Sequence, residues 1–306
     1  MRWTAVVNPV AGRGRTRRLL PELRTALAAH DVESHVATSP GDGVQAARDA
    51  YGRGHGVVAC GGDGTVAELA GVAAAHGGPL AVVPTGAGND FARQLGLDLR
   101  RPLRAIDLLD EGELIDVDLG RASASDGTNR AFTTVANTGF DSEANRWANG
   151  VRWTRGSTLY LVAIARTLVV YRPRPVVVRV DDHEWRGAAW LVAIGNTRWY
   201  AGGLMITPDA KVDDGLLDVC VFTAAPTAKF IARFPTVFRG NHTHVDGVIM
   251  FRGREVEVLA DRGGLALDLW ASGERVGPLP AIATIDPKAL RVLVPCTGTG
   301  PAATRR

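Results

Sequence analysis

Apolar positions in the first third of the chain fall into two alternating kinds of run. Trp3–Val7, Gly56–Ala59 and Leu80–Val83 are short and mostly apolar, as buried strands are, and Val32–Ala37 reads as a further strand. Between them lie segments with helical spacing. Arg15–His30 carries Leu19, Leu20, Leu23 and Leu27, and Gly43–Tyr51 and the Ala-rich Val66–His76 follow. Strand and helix in alternation predict a parallel sheet with helices on both faces. After about residue 120 the pattern changes. Short strands are expected at Ala131–Ala136, Val176–Val180, Ala188–Ile194, Leu216–Phe222, Glu255–Leu259 and Leu265–Trp270. Two helical stretches, Ser157–Tyr171 and Ala225–Arg239, interrupt them. The expectation is an α/β domain over 1–120 and an antiparallel β-rich domain over 121–300, its last strand free to pack back on the first domain. A disordered tail is expected over 301–306.

Composition narrows the class. With 46% hydrophobic and 22% charged residues in 306, the chain is globular. Lys and Arg outnumber Asp and Glu by only 35 − 32 = 3, too few for a nucleic-acid coat, so no nucleic-acid partner is expected. The basic pI of about 9.0 suits an anionic partner or membrane surface. Cys60, Cys220 and Cys296 are odd in number and widely spaced, which argues for a reducing compartment. The chain starts on a strand-like run with no signal-peptide core, and no apolar stretch reaches about 20 residues. The nearest, Leu159–Tyr171, is short and carries Arg166. A cytoplasmic protein able to dock peripherally on a membrane is expected.

Chemistry concentrates in three Gly-rich loops that follow predicted strands: Asn8–Gly14, Gly61–Thr65 and Pro84–Asp90. In a parallel sheet such loops gather at the carboxyl ends of the strands, where ligands bind. Glycines let backbone N–H groups approach phosphate oxygens, and the helix after Thr65 adds its positive end. None of the loops is a GKS/GKT phosphate loop or a dinucleotide GxGxxG. Asp63 lies inside the second loop and Asp90 ends the third. Asp90 suits a helix cap, and the two together suit an anionic pair holding magnesium on a nucleotide.

Gly61-Gly62-Asp63-Gly64-Thr65, taken with Pro84-Thr85-Gly86-Ala87-Gly88-Asn89-Asp90-Phe91-Ala92-Arg93, resembles the bacterial diacylglycerol kinase and lipid kinase family. The first loop is shared with sphingosine kinases and, more distantly, NAD kinases; the second narrows the likeness to lipid kinases. The resemblance extends through Asp116-Val117-Asp118, Asn137-Thr138-Gly139-Phe140-Asp141, Gly195-Asn196 and the segment Pro208–Asp218. It implies a Rossmann-like nucleotide domain, a β-sandwich domain and a site in the cleft between them. The activity implied is ATP-dependent phosphorylation of a lipid hydroxyl, diacylglycerol giving phosphatidic acid. Alternatives are a sphingoid or glycolipid acceptor, or a weakly active or inactive nucleotide- and lipid-binding homologue. A homodimer is a further possible partner state.

The resemblance also carries roles. ATP contacts fall on Asn8, Pro9, Val10, Ala11 and Gly12, on Thr38, on Gly61, Gly62, Asp63, Gly64, Thr65, Val66, Ala67 and Glu68, and on Thr85, Gly86, Ala87 and Asn89. A second-domain Mg2+ falls on Asp214 with the carbonyls of Lys211 and Leu216, a donor set hard cations accept. A plain β-turn over Asp213-Asp214-Gly215 is the alternative. Asp63 and Asp90 organise Mg–ATP, and Asp118 joins the acidic network. Glu274 is the implied general base that takes the acceptor hydroxyl's proton. The chain departs from the family at three points: Ser272 replaces Asp in the Asp-Gly-Glu pattern around Glu274, Ala67 replaces Asn, and Ala87 replaces Thr.

Two further segments lie outside this scheme. His242-Thr243-His244 reads as a surface turn rather than a metal pair, because no third ligand accompanies it. Arg146–Arg155 mixes Arg with Trp147 and Trp153 and suits either core packing or an anionic bilayer, with Arg233, Phe234, Phe238 and Arg239 as an extension.

Overall fold

The computed structural model describes residues 1–140, 142, 167, 171–261 and 267–296. The predicted helix over 157–171 and the Arg146–Arg155 stretch therefore lie almost wholly or wholly outside the described residues. Asp141 and the 301–306 tail lie outside them too. The chain forms two units. One runs over Met1–Leu119 and resumes at Pro287; the other is Gly120–Asp286.

The first unit is built on β1 (Trp3–Val7), β2 (Glu33–Val36), β3 (Gly56–Gly61) and β4 (Pro79–Pro84), in the order β4-β3-β1-β2. Every residue of β1, β3 and β4 is buried, as strands covered on both faces must be. β2 is the edge strand and exposes Glu33 and Ser34. All these pairings are parallel. Helices α1 (Ala11–Ala29), α2 (Pro40–Gly52) and α3 (Asp63–His76) make the crossovers. Leu23 and Leu27 of α1 are fully buried against Val58, Cys60, Ile106 and Leu293. Short helices α4 (Asp90–Gln94) and α5 (Leu108–Glu111) follow, then β5 (Glu113–Ala124). From β1 the chain steps to β2, and from β3 it steps the other way to β4, so the loops after β1 and β3 flank the reversal point where open parallel sheets bind ligands.

In the second unit β6 (Asn129–Phe132), β7 (Val135–Gly139), β8 (Arg174–Val180), β9 (His183–Gly195), β10 (Trp199–Tyr200), β11 (Leu204–Met205) and β12 (Leu217–Thr223) precede helix α6 (Thr227–Arg233). β13 (Val248–Gly253), β14 (Glu255–Ala260), β15 (Asp268–Ala271), β16 (Glu274–Pro278) and β17 (Ala281–Val294) come after it. The main pairings run β16-β15-β7-β9-β8-β14, all antiparallel, and β12 joins the other edge of β9. β9 is buried on both faces over its second half, Ala189–Gly195. Val192 and Ile194 enter an aliphatic core with Val178, Val219 and Val256, while Leu191 and Ala193 enter an aromatic core with Trp190, Phe222 and Phe230.

Three differences from the sequence reading have local causes. The run Ala131–Ala136 splits at Thr133-Thr134 into β6 and β7, whose freed carbonyls accept from Asn196 Nδ2 and N. The helix expected over Ala225–Arg239 stays α-helical only to Arg233 and continues as a 3-10 turn over Phe234–Arg239, because Pro235 has no N–H to donate. β17 is not among the strands expected by residue range, although a last strand returning to the first domain is expected. Pro287 interrupts its pattern, and the strand absorbs it where Lys288 turns left-handed (φ 52°) and donates its N–H to Asp118 Oδ1 at 2.8 Å.

Candidate active site

The three Gly-rich loops meet at the carboxyl ends of β1, β3 and β4. Asn8, at the end of β1, donates from Nδ2 to Thr65 Oγ1 at 2.8 Å, and its Oδ1 accepts the Val10 N–H at 3.1 Å. Gly12, Arg13 and Gly14 take three successive left-handed conformations before α1 becomes regular. A Cβ on Gly12 would sit 2.3 Å from the Thr85 carbonyl oxygen, and one on Gly86 would sit 2.3 Å from Gly62 Cα. Such distances admit only glycine, so these loops are in backbone contact. Gly61 O accepts N–H groups from Thr85 and Gly86, both at 3.0 Å. Beneath them Thr16 Oγ1 donates to Thr85 Oγ1 at 2.7 Å in a buried pair. Sequence reasoning missed Thr16, which lies beyond the loop motif on the helix.

Helix α3 starts at Asp63 with Gly62 as its N-cap and no side-chain cap, leaving its first amides for ligand or water. Asp63 itself bends toward the third loop. Its Oδ1 accepts the Phe91 N–H at 3.1 Å, which ties the second loop to the start of α4. Burial pushes the Asp63 carboxyl up to about 6, and the nearby Asp90 charge adds to the shift. Asp90 is 3% exposed and lies 3.6 Å from Arg93 Nε. Asn89 is left-handed (φ 56°), and its Nδ2 donates to Gly86 O at 3.0 Å. Its Oδ1 is buried without a hydrogen-bond partner among the described residues, an acceptor left over inside the loop.

The remaining residues assigned to ATP divide by burial. Val66 and Ala67 are buried in the packing of α3 and can offer only backbone; Glu68 and Ala87 are exposed. Val10 is 65% exposed, an apolar side chain at the loop mouth. Thr38 donates both N–H and Oγ1 to Asp42 Oδ2, at 2.7 and 2.9 Å, so its hydroxyl keeps only acceptor capacity. Asp118 is fully buried and accepts the Lys288 N–H.

In the second unit Glu274 opens β16. Ala271 pairs with it across the two-residue turn Ser272-Gly273, whose residues are both left-handed (φ 47° and 83°). Primed hairpin turns demand this and favour Asp or Asn at the first position, which accounts for the family's Asp. Here Ser272 is 7% exposed, and its Oγ lies 3.0 Å from Thr134 Oγ1. The Arg275 guanidinium forks onto Asp268 at 2.8 and 2.9 Å and fixes the hairpin, leaving Glu274 exposed at its tip.

At the expected second-domain metal site Asp214 Oδ1 accepts the Leu216 N–H at 3.1 Å, and Oδ2 accepts from the Arg252 guanidinium. Among the described residues no group of three or more His, Cys, Asp or Glu is placed to hold a metal; the expected set draws instead on one carboxylate and the carbonyls of Lys211 and Leu216. Arg252 also lies 3.4 Å from Asp218, whose carboxyl burial pushes up to about 6. Nothing in the local sequence announced Arg252, which arrives from β13. The His242 expectation changes. His242 is fully buried, stacks on Phe222 and bonds through Nε2 to Ile206 O at 2.8 Å, while His244 is exposed.

Gly-rich loops meeting at the reversal point of a parallel sheet, with a carboxylate held among them, lie where such sheets bind ligands and are compatible with phosphoryl-transfer chemistry. The family models agree. Residues 2–122 match the diacylglycerol kinase catalytic domain, and residues 134–294 match the YegS C-terminal NAD kinase beta sandwich-like domain. The diacylglycerol kinase of Mycobacterium tuberculosis is 36% identical over 96% of both chains. That of Bacillus subtilis is 28% identical over 90% of both, and a YegS-like lipid kinase of Pseudomonas aeruginosa is 31% identical over 90% of both. In fold, a Bacillus anthracis crystal structure assigned to the diacylglycerol kinases superposes with a TM-score of 0.76 at 22% identity, covering 95% of this chain and 94% of that one. The chain belongs to the diacylglycerol kinase family and is a lipid kinase.

Proposed function

We propose that the enzyme transfers the γ-phosphoryl group of ATP to the hydroxyl of diacylglycerol, giving phosphatidic acid. The observation that carries this is the backbone contact of the Gly12, Gly62 and Gly86 loops around Asp63. Loop amides and the first amides of α3 bind the nucleotide phosphates. Asn89, with an acceptor to spare, and Asn8, which holds Thr65, keep the cradle rigid, so the phosphates are positioned without reorganisation at the moment of transfer. Asp63 fits a magnesium ion on the nucleotide. Its carboxylate carries a burial and repulsion cost that a cation relieves, and one carboxylate plus phosphate oxygens is an ordinary magnesium donor set. Bound there, the ion neutralises phosphate charge. Glu274, exposed at the hairpin tip, accepts the proton of the attacking hydroxyl. Asp118 is a positioning residue that fixes β17.

A second acceptor class stays open because a relative at 31% identity is named a YegS-like lipid kinase, with no acceptor specified. In that case the same machinery phosphorylates another hydroxylated lipid. Ser272, Ala67 and Ala87 do not favour an inactive homologue, since Ser272 fills a turn position and Ala67 packs inside α3.

Asp63→Asn tests the nucleotide assignment. The amide oxygen still accepts the Phe91 N–H, so the fold survives. Turnover with ATP falls at least about 10²-fold, as expected for losing an electrostatic group at the transferred phosphoryl. Near-parent turnover in a folded variant refutes the assignment.

A further inference from the structure

We infer that the outer face of segment 227–239 docks the protein on an anionic lipid bilayer. The inference rests on the lipid-kinase reading for its choice of partner, because such a substrate resides in a bilayer. Its residues are distinct from the expected Arg146–Arg155 stretch.

The inner face of the segment is anchored. Phe230 and Val237 are buried, and Phe230 stacks on Trp190 with ring centroids 4.5 Å apart. Phe234, expected to face outward, packs its ring against Phe222 and Phe230 instead. With these three turned inward, the rest of the segment presents a fixed outer face. Ala228, Ile231, Pro235 and Phe238 line it at helical spacing and are all exposed. Ile231 is 48% exposed and Phe238 61%, the two large apolar side chains left in water here.

The charges within the segment have one sign. Lys229 and Arg239 are exposed at its two ends, and Arg233 is partly exposed between them. No Asp or Glu occurs between Asp218 and Asp246. An apolar stripe with cations in the same segment matches the boundary of an anionic bilayer, where apolar groups enter the acyl region and cations meet lipid phosphates. A second copy of the chain fits less well. Four side chains fall far short of the about 800 Å² per partner that a stable protein interface buries, and like charges would face each other.

The test is sedimentation of the full chain with vesicles of phosphatidylcholine alone or of phosphatidylcholine with phosphatidylglycerol. The parent partitions preferentially to the anionic vesicles, and added salt weakens the binding. Ile231→Ser with Phe238→Ser lowers the partition coefficient about tenfold or more. Lys229→Glu with Arg239→Glu lowers it about tenfold or more on anionic vesicles and leaves neutral vesicles unaffected. The charge pair leaves the packing untouched and so tests the face independently of any folding defect in the apolar pair. Phosphorylation of a short-chain, water-soluble diacylglycerol stays at the parent level in both variants. If the parent lacks that activity but shows the vesicle pattern, the kinase reading fails and the docking face stands. Equal or absent partition of the parent, or parent-like partition of both variants, overturns the inference. So does a dimer-to-monomer shift of the apolar variant with unchanged partition.

Discussion

Thr134 and Ser272 stand 138 residues apart in sequence, and their hydroxyls lie 3.0 Å apart in the interior of the second unit. The Ser272 N–H also donates to Val135 O at 3.1 Å, so the turn carrying Glu274 is bonded to β7 by side chain and backbone together. Ser272 is therefore a structural element of the hairpin. A Thr134→Val, Ser272→Ala double-mutant cycle, read by denaturant unfolding, gives a coupling energy of about 0.5–1.5 kcal/mol. Additive single effects would show that the two hydroxyls do not support each other.

The guanidinium of Arg252 on Asp214 offers a counter-charge with or without a metal, and the two cases can be told apart. With Arg252 alone, chelation of divalent ions with EDTA leaves the thermal unfolding midpoint of the nucleotide-free protein unchanged. Arg252→Gln lowers it, because Asp214 and the buried Asp218 lose their shared counter-charge. A midpoint that falls with EDTA and recovers with magnesium would show the metal site.

His242 makes stability pH-dependent. Burial depresses its pKa below the ordinary value of 6.5, with the bond to Ile206 O opposing the shift in part. The unfolded chain thus binds a proton that the folded one refuses. The stability His242 contributes is present above pH 6.5 and is lost as pH falls from there through the depressed folded value. His242→Gln, which keeps an N–H for Ile206 O, removes this component of the pH slope. Urea midpoints from pH 8 to pH 5 check it, and an identical slope in parent and variant contradicts it.

What could be read from sequence and what could not divide by range. The three Gly-rich loops were legible because each needs its glycines at fixed local spacing: a Cβ at Gly12 or Gly86 collides with backbone. The buried strands β1, β3 and β4 were legible from short, mostly apolar runs. The range of β17 was not, because Pro287 breaks the pattern, and only the remote carboxylate of Asp118 shows how the strand continues. The turn at Asp214 was anticipated as a metal ligand or a plain turn. Arg252, 38 residues away, bonds its carboxylate, and no local pattern encodes such a partner. Ser272 was legible only as a departure from the family's Asp-Gly-Glu; its φ of 47° and its bond to Thr134 are set by the fold.

The central claim is phosphoryl transfer from ATP to a lipid hydroxyl, and the most direct measurement is transfer of γ-labelled phosphate by the purified enzyme to diacylglycerol in mixed micelles, with mass identification of the labelled lipid. The account predicts magnesium-dependent appearance of phosphatidic acid. It also predicts a loss of about 10²–10⁴-fold in Glu274→Gln with ATP affinity retained. Label that stays in ATP or appears only as inorganic phosphate, with no phosphorylated lipid, would contradict it.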